Sequence, residues 1–97
     1  MKTFLVTYDL HNRRDYDRII DAIKKVGDSA ELLESVWLVA VSDDFSCVTL
    51  KERLTDYIDS DDSIAVLPIS VGAGFATKNC PKEAVAWLNK YLSTAKK

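Results

Sequence analysis

The chain has 97 residues, 47% hydrophobic and 29% charged, with a formal net charge of -2 and a pI near 5.3. That length suits one domain with a single core and modest stability, and the charge excludes a surface that is basic throughout, so any nucleic-acid contact has to rest on local positive charge. No stretch approaches the ~18 apolar residues of a membrane span, and Cys47 and Cys80 lack the close-spaced Cys or His neighbours of zinc knuckles and redox pairs.

Met1 to Tyr8 is too short for a signal-peptide apolar region and reaches Asp9 without a small-residue cleavage site. Two cysteines without such a signal predict a reducing, cytoplasmic setting. Phe4 to Leu10 reads as a buried strand and delivers Asp9 to the rim of a sheet, just before His11-Asn12-Arg13-Arg14. Tyr16, Ile19, Ile20, Ile23 and Val26 recur at helical spacing, with Asp17, Arg18, Asp21, Lys24 and Lys25 opposite; Asn12 is a start signal and Gly27 a stop. Leu32 to Val41 reads as strand interrupted at Glu34-Ser35, either two short strands or one bent one, and Val36 to Val41 is apolar enough for a central strand.

Ser42-Asp43-Asp44 opens a second helix with Cys47, Leu50, Leu54, Tyr57 and Ile58 on one face, closed by the acidic turn Asp59 to Asp62. Those acids lack the glycine and terminal Glu of a calcium-binding loop and read as turn and capping residues. Ser63 to Ser70 is a strand that Pro68 marks as an edge or bulge. Val71 to Thr77 is a connection, with room for a short last strand. Asn79 or Cys80 then caps a third helix with Pro81 in its first turn and Val85, Leu88 and Leu92 on its apolar stripe. The order β-α-β-β-α-β plus a helix predicts an α+β, ferredoxin-like βαββαβ sandwich with an extra C-terminal helix, one domain over residues 1–97.

Strands one and three are apolar on both sides, yet two helices cover one face of the sheet. The other face is hidden either by the third helix or by a second chain, and a homodimer gives each Asp9 a counterpart. An acid at a strand end beside cationic side chains suits a divalent metal and a phosphate; the plainer reading is that Asp9 only turns the chain. His11 is either a solvated loop residue or a proton acceptor, Arg13 and Arg14 either an exposed helix start or phosphate contacts, and Ser35 either strand punctuation or a phosphate ligand. Trp37, Trp87 and Tyr91 read as core or interface aromatics.

Val6-Thr7-Tyr8-Asp9-Leu10, Glu34-Ser35-Val36-Trp37 and Asp61-Asp62-Ser63-Ile64-Ala65-Val66-Leu67-Pro68-Ile69 together resemble the small CRISPR-associated adaptation protein (Cas-two) family over about residues 1–70, leaving 71–97 as connection and C-terminal helix. The resemblance points to a divergent stand-alone branch and, more distantly, to the RNA-cleaving virulence-associated protein D toxins. It implies a ferredoxin-like homodimer with a divalent metal near Asp9, acting as a metal-dependent endonuclease on DNA or RNA or as an architectural dimer that holds duplex DNA for a partner integrase. On that mechanism Asp9 from each subunit shares one Mg²⁺ or Mn²⁺, His11 takes up a proton or orients water, and Arg13, Arg14 and Ser35 hold the phosphate. Asp15 and Asp17 interrupt the positive charge that relatives carry after the first strand, which predicts weaker phosphate affinity and weak or lost turnover. The competing expectation is a non-catalytic dimeric module that binds nucleic acid or protein.

Overall fold

The computed structural model describes residues 1–11, 16–72 and 74–92. Its elements are β1 (Lys2–Asp9), α1 (Tyr16–Val26), β2 (Asp28–Leu33), β3 (Val36–Val41), α2 (Cys47–Thr55), β4 (Ser63–Pro68) and α3 (Lys82–Leu92). The strands form one antiparallel sheet in the order β2-β3-β1-β4. This is the expected α+β, ferredoxin-like arrangement followed by a C-terminal helix.

Strand alternation divides the apolar residues between two faces. Phe4, Val6 and Tyr8 of β1 and Trp37, Val39 and Val41 of β3 point to the first face, where Ile19 and Ile23 of α1 and Leu50 and Leu54 of α2 close the main core. Ile19 and Ile23, one helical turn apart, are wholly buried; truncating either to Ala removes about 2–5 kcal/mol by transfer and cavity terms. On the second face Leu38 and Ala40 of β3 and Ala30 of β2 lie beneath Ala84, Trp87, Leu88 and Leu92 of α3. β3 is therefore buried on both sides, as its uninterrupted apolar run predicted.

The third helix covers only the β2–β3 half of that second face. The aligned residues Leu38, Leu5 and Leu67 show the gradient: Leu38 is buried, Leu5 half-buried and Leu67 is 49% exposed. A polar anchor on β2 holds α3 in place. The Asp28 carboxylate accepts hydrogen bonds from the Tyr91 hydroxyl (2.5 Å) and Lys90 Nζ (3.1 Å), and its carbonyl accepts from Trp87 Nε1 (2.8 Å).

Several boundaries differ from the sequence reading for local physical reasons. β2 begins at Asp28, four residues before the apolar run, because Asp28, Ser29 and Ala30 pair with Ala40, Val39 and Leu38. Gly27 does end α1, but by close approach: a Cβ there would stand 2.1 Å from the Ala40 carbonyl oxygen. α2 starts after Ser46, which forms a reciprocal capping box with Thr49, and it ends at Thr55, so Tyr57 and Ile58 lie in the turn beyond it. Pro81 precedes α3 and its carbonyl accepts from the amides of Ala84 and Val85. Pro68 sits at the end of β4, an edge strand as expected, and the described residues of the 71–77 connection form no strand. The Asn12 start signal lies outside the described residues. No helix among the described residues is long and apolar enough to cross a membrane.

Candidate functional site

Asp9 is the last residue of β1 and is exposed. Alternation places it on the second face with Thr3, Leu5 and Thr7, at the end of the sheet away from the N-terminus. Two other segments meet it there. Ser63, the first residue of β4, is its partner across the ladder. On the other side the Glu34–Ser35 turn joins β2 to β3, and the Ser35 carbonyl accepts a hydrogen bond from the Tyr8 amide at 3.2 Å. Ser35 has a left-handed φ of 59°, which makes it a true turn residue. Thr7, Asp9, Ser63 and Ala65 line a shallow open depression of about 190 Å³ on this rim.

The loop after β1 is tied to the turn before β4 by one side chain. Asp62 accepts from the His11 amide at 2.8 Å with one carboxylate oxygen and from the Asp59 amide at 2.9 Å with the other. The acidic turn thus has the turn and capping role read from its sequence, and it fixes where His11 leaves the sheet. His11 itself is exposed. Asp9, His11 and Ser35 are brought to one rim, whereas Arg13 and Arg14 lie outside the described residues. Two contributors escaped the sequence reading: Ser63, whose nearness to Asp9 exists only through strand pairing, and the Asp62 bridge to His11.

On the opposite face Tyr8 lies under α1, its ring 5.8 Å from that of Tyr16. Burial pushes the Tyr8 hydroxyl above its ordinary range, while the nearby Trp37 indole draws it down and Glu31 raises it again. Trp37 Nε1 nevertheless has no partner in hydrogen-bonding geometry among the described residues, and Lys24 stands 5.8 Å over its ring.

No group of three or more His, Cys, Asp or Glu among the described residues is placed to hold a metal ion. Asp9 carries a hard carboxylate oxygen of the kind Mg²⁺ or Mn²⁺ takes, but no metal-holding group of three forms around it among the described residues, and the Asp62 carboxylate accepts from two backbone amides. Acidic residues are frequent in the segments that meet here: Asp9 at the end of β1, Glu34 in the β2–β3 turn, and Asp59, Asp61 and Asp62 before β4.

A four-stranded antiparallel sheet in this order, with helices packed on it and a carboxylate at the end of its first strand, defines a ferredoxin-like protein. The family profile described as CRISPR associated protein Cas2 matches residues 1–73, and the chain belongs to that family. The match takes in β1 to β4 and stops before α3. No curated protein matches the chain. Among solved structures, the crystal structure of a hypothetical protein from Thermus thermophilus is similar with a TM-score of 0.63 and 17% identity, over 82% of this chain and 94% of that one. At that identity the likeness shows the fold alone.

Proposed function

We propose that this Cas2-family chain works as a homodimer that handles nucleic acid, with slow phosphodiester cleavage dependent on Mg²⁺ or Mn²⁺ at a site completed by Asp9 from both copies. The observation that carries this reading is the position of Asp9: a single exposed carboxylate beside a half-face of the sheet that one chain leaves open. A second copy supplies both the missing cover and the missing ligand. Asp9 of each copy would hold the metal, which would supply a bound water of lowered pKa and positive charge toward the scissile phosphate. The chain's own residues do the rest: Asp9 presents the ligand oxygen, His11 accepts a proton from the attacking water, and Ser35, Arg13 and Arg14 hold the phosphate.

Asp9→Ala tests the metal mechanism. Cleavage of DNA or RNA that needs Mg²⁺ or Mn²⁺ should fall at least tenfold in the variant and vanish with chelator. Cleavage that survives the exchange removes the mechanism.

A second reading has its own support. With no metal-holding cluster among the described residues of one chain, the same dimer is also suited to a non-catalytic role in binding nucleic acid or protein. Salt-sensitive binding without cleavage in either the parent or the Asp9→Ala protein favours that role, because phosphate contacts weaken steeply with ionic strength. A repeat array and integrase beside the gene would favour an adaptation role, and their absence a stand-alone one.

A further inference from the structure

We infer that the outer face of α3, with the turn that leads into it, is a contact surface for the phosphate backbone of nucleic acid. This rests on the nucleic-acid reading proposed above, but on neither the dimer nor Asp9, and it adds a surface that the family-matched residues do not contain.

Charge divides along the chain where the family match ends. Residues 1–73 carry eight Lys and Arg against fourteen Asp and Glu, a net charge of -6, whereas residues 74–97 carry five lysines against Glu83 alone, a net charge of +4. The total of -2 conceals this polarity. A polyanion responds to the local field and not to the net charge, so the C-terminal extension is where this chain attracts one.

The packing of α3 decides which side chains the extension presents. Ala84, Trp87, Leu88 and Leu92 turn toward the sheet, so Lys82, Ala86 and Asn89, at i, i+4 and i+7, form the opposite, exposed face. Lys78 is exposed in the turn before the helix. Neither Lys78 nor Lys82 forms an ion pair among the described residues. On the flank Lys90 is held by Asp28 at 3.1 Å and Glu83 is exposed, which offsets the charge there and leaves Lys78 and Lys82 as the effective cations.

The chemistry of this face selects its partner. No apolar side chain larger than that of Ala86 is exposed on α3, while protein interfaces are anchored by aromatic residues and are poor in lysine. Nucleic acid requires the reverse: ammonium groups for phosphate oxygens, an amide donor such as Asn89, and a small residue between them that permits close approach. The eleven residues of α3 span about 16 Å, along which a DNA duplex presents about ten phosphate charges, so both lysines find partners without a fixed register. Contact of this kind is independent of base sequence.

Fluorescence anisotropy of a labelled DNA duplex, titrated with the full chain across a salt series, tests the surface. In Lys78→Gln/Lys82→Gln, affinity at about 0.1 M salt should fall about tenfold or more, and the slope of log affinity against log salt should shrink by about 1.8 for two lost phosphate contacts. Each single exchange should shrink it by about 0.9. Glu83→Gln should bind at least as tightly as the parent. Parental circular dichroism and melting temperature are expected throughout, since the exchanged side chains are exposed. A parent that binds while the folded double variant keeps its affinity and slope overturns this surface and leaves the nucleic-acid reading standing, with phosphate met elsewhere. Polyglutamate that displaces the duplex at equal charge assigns the face to an acidic protein and likewise overturns it. A parent that binds neither the duplex nor a labelled RNA at low salt overturns both readings.

Discussion

Ser35 shows how one residue carries a structural and a chemical role in separable atoms. Its carbonyl bonds the Tyr8 amide and its backbone takes the left-handed conformation, while its hydroxyl is the group proposed to meet phosphate. A non-glycine residue held in that region costs about 1 kcal/mol or more, which glycine avoids. Ser35→Gly should therefore keep or slightly raise the melting temperature while weakening nucleic-acid binding about fivefold, the worth of one hydrogen bond of about 1 kcal/mol. Unchanged affinity in a well-folded Ser35→Gly protein leaves Ser35 as a turn residue only. Asp9 and the interruption at Glu34-Ser35 were legible in sequence, because a lone acid ending an apolar run and a polar break within one both violate local pattern. Ser63 was not legible, since only the β1–β4 ladder brings it to Asp9, and Gly27 was legible as the stop of α1 while the space it leaves beside the Ala40 carbonyl was not.

At the scale of elements, α3 depends on a small polar anchor as much as on its apolar stripe. The hydrogen bond from Tyr91 is the main cause that holds the Asp28 carboxyl below its ordinary range, with Lys90 adding to it; the same bond from Tyr91 to Asp28 is the main cause that lifts the Tyr91 hydroxyl. Because Asp28 has a depressed folded pKa, its contribution is present above the ordinary carboxylate range and is lost as pH falls through the folded value. The anchor is largely solvent-exposed, so solvent screens most of its electrostatic contribution. Asp28→Asn should lower the melting temperature by a few degrees at neutral pH, with the gap to the parent closing as pH falls below about 4, and should speed hydrogen exchange in α3. A gap that persists unchanged at pH 2 assigns the effect to packing and not to ionisation. The third helix itself was legible from its periodicity, but its docking was not. Sequence offered α3 or a second chain as cover for the second face, and the structure divides that face, with α3 over β2–β3 and β1–β4 left open. The early start of β2 was hidden for a related reason: Asp28-Ser29-Ala30 has weak strand propensity and becomes strand through pairing with β3.

For the whole molecule, the open half-face and the small size of the domain lead to one expectation about stability. A chain of this length buries a limited share of its surface alone, and the leucine at position 67, with the neighbouring Ala65, is left in water on an uncharged sheet face. If a second copy covers that face, dimerisation contributes directly to the measured stability, and the melting temperature rises with protein concentration. A hundredfold increase should raise it by about 5 °C for a dimer of domains this size. Leu67→Glu places two like charges on the proposed two-fold contact while leaving the α1–α2 core untouched, because Leu67 points away from that core. The variant should fold with a near-parental circular dichroism spectrum, run as a monomer in light scattering, and melt at a temperature independent of concentration. If Asp9 acts only as a pair, this variant also loses metal-dependent cleavage although Asp9 itself is intact. A Leu67→Glu protein that remains dimeric would move the interface off the second face and remove the reason for linking Asp9 to its counterpart.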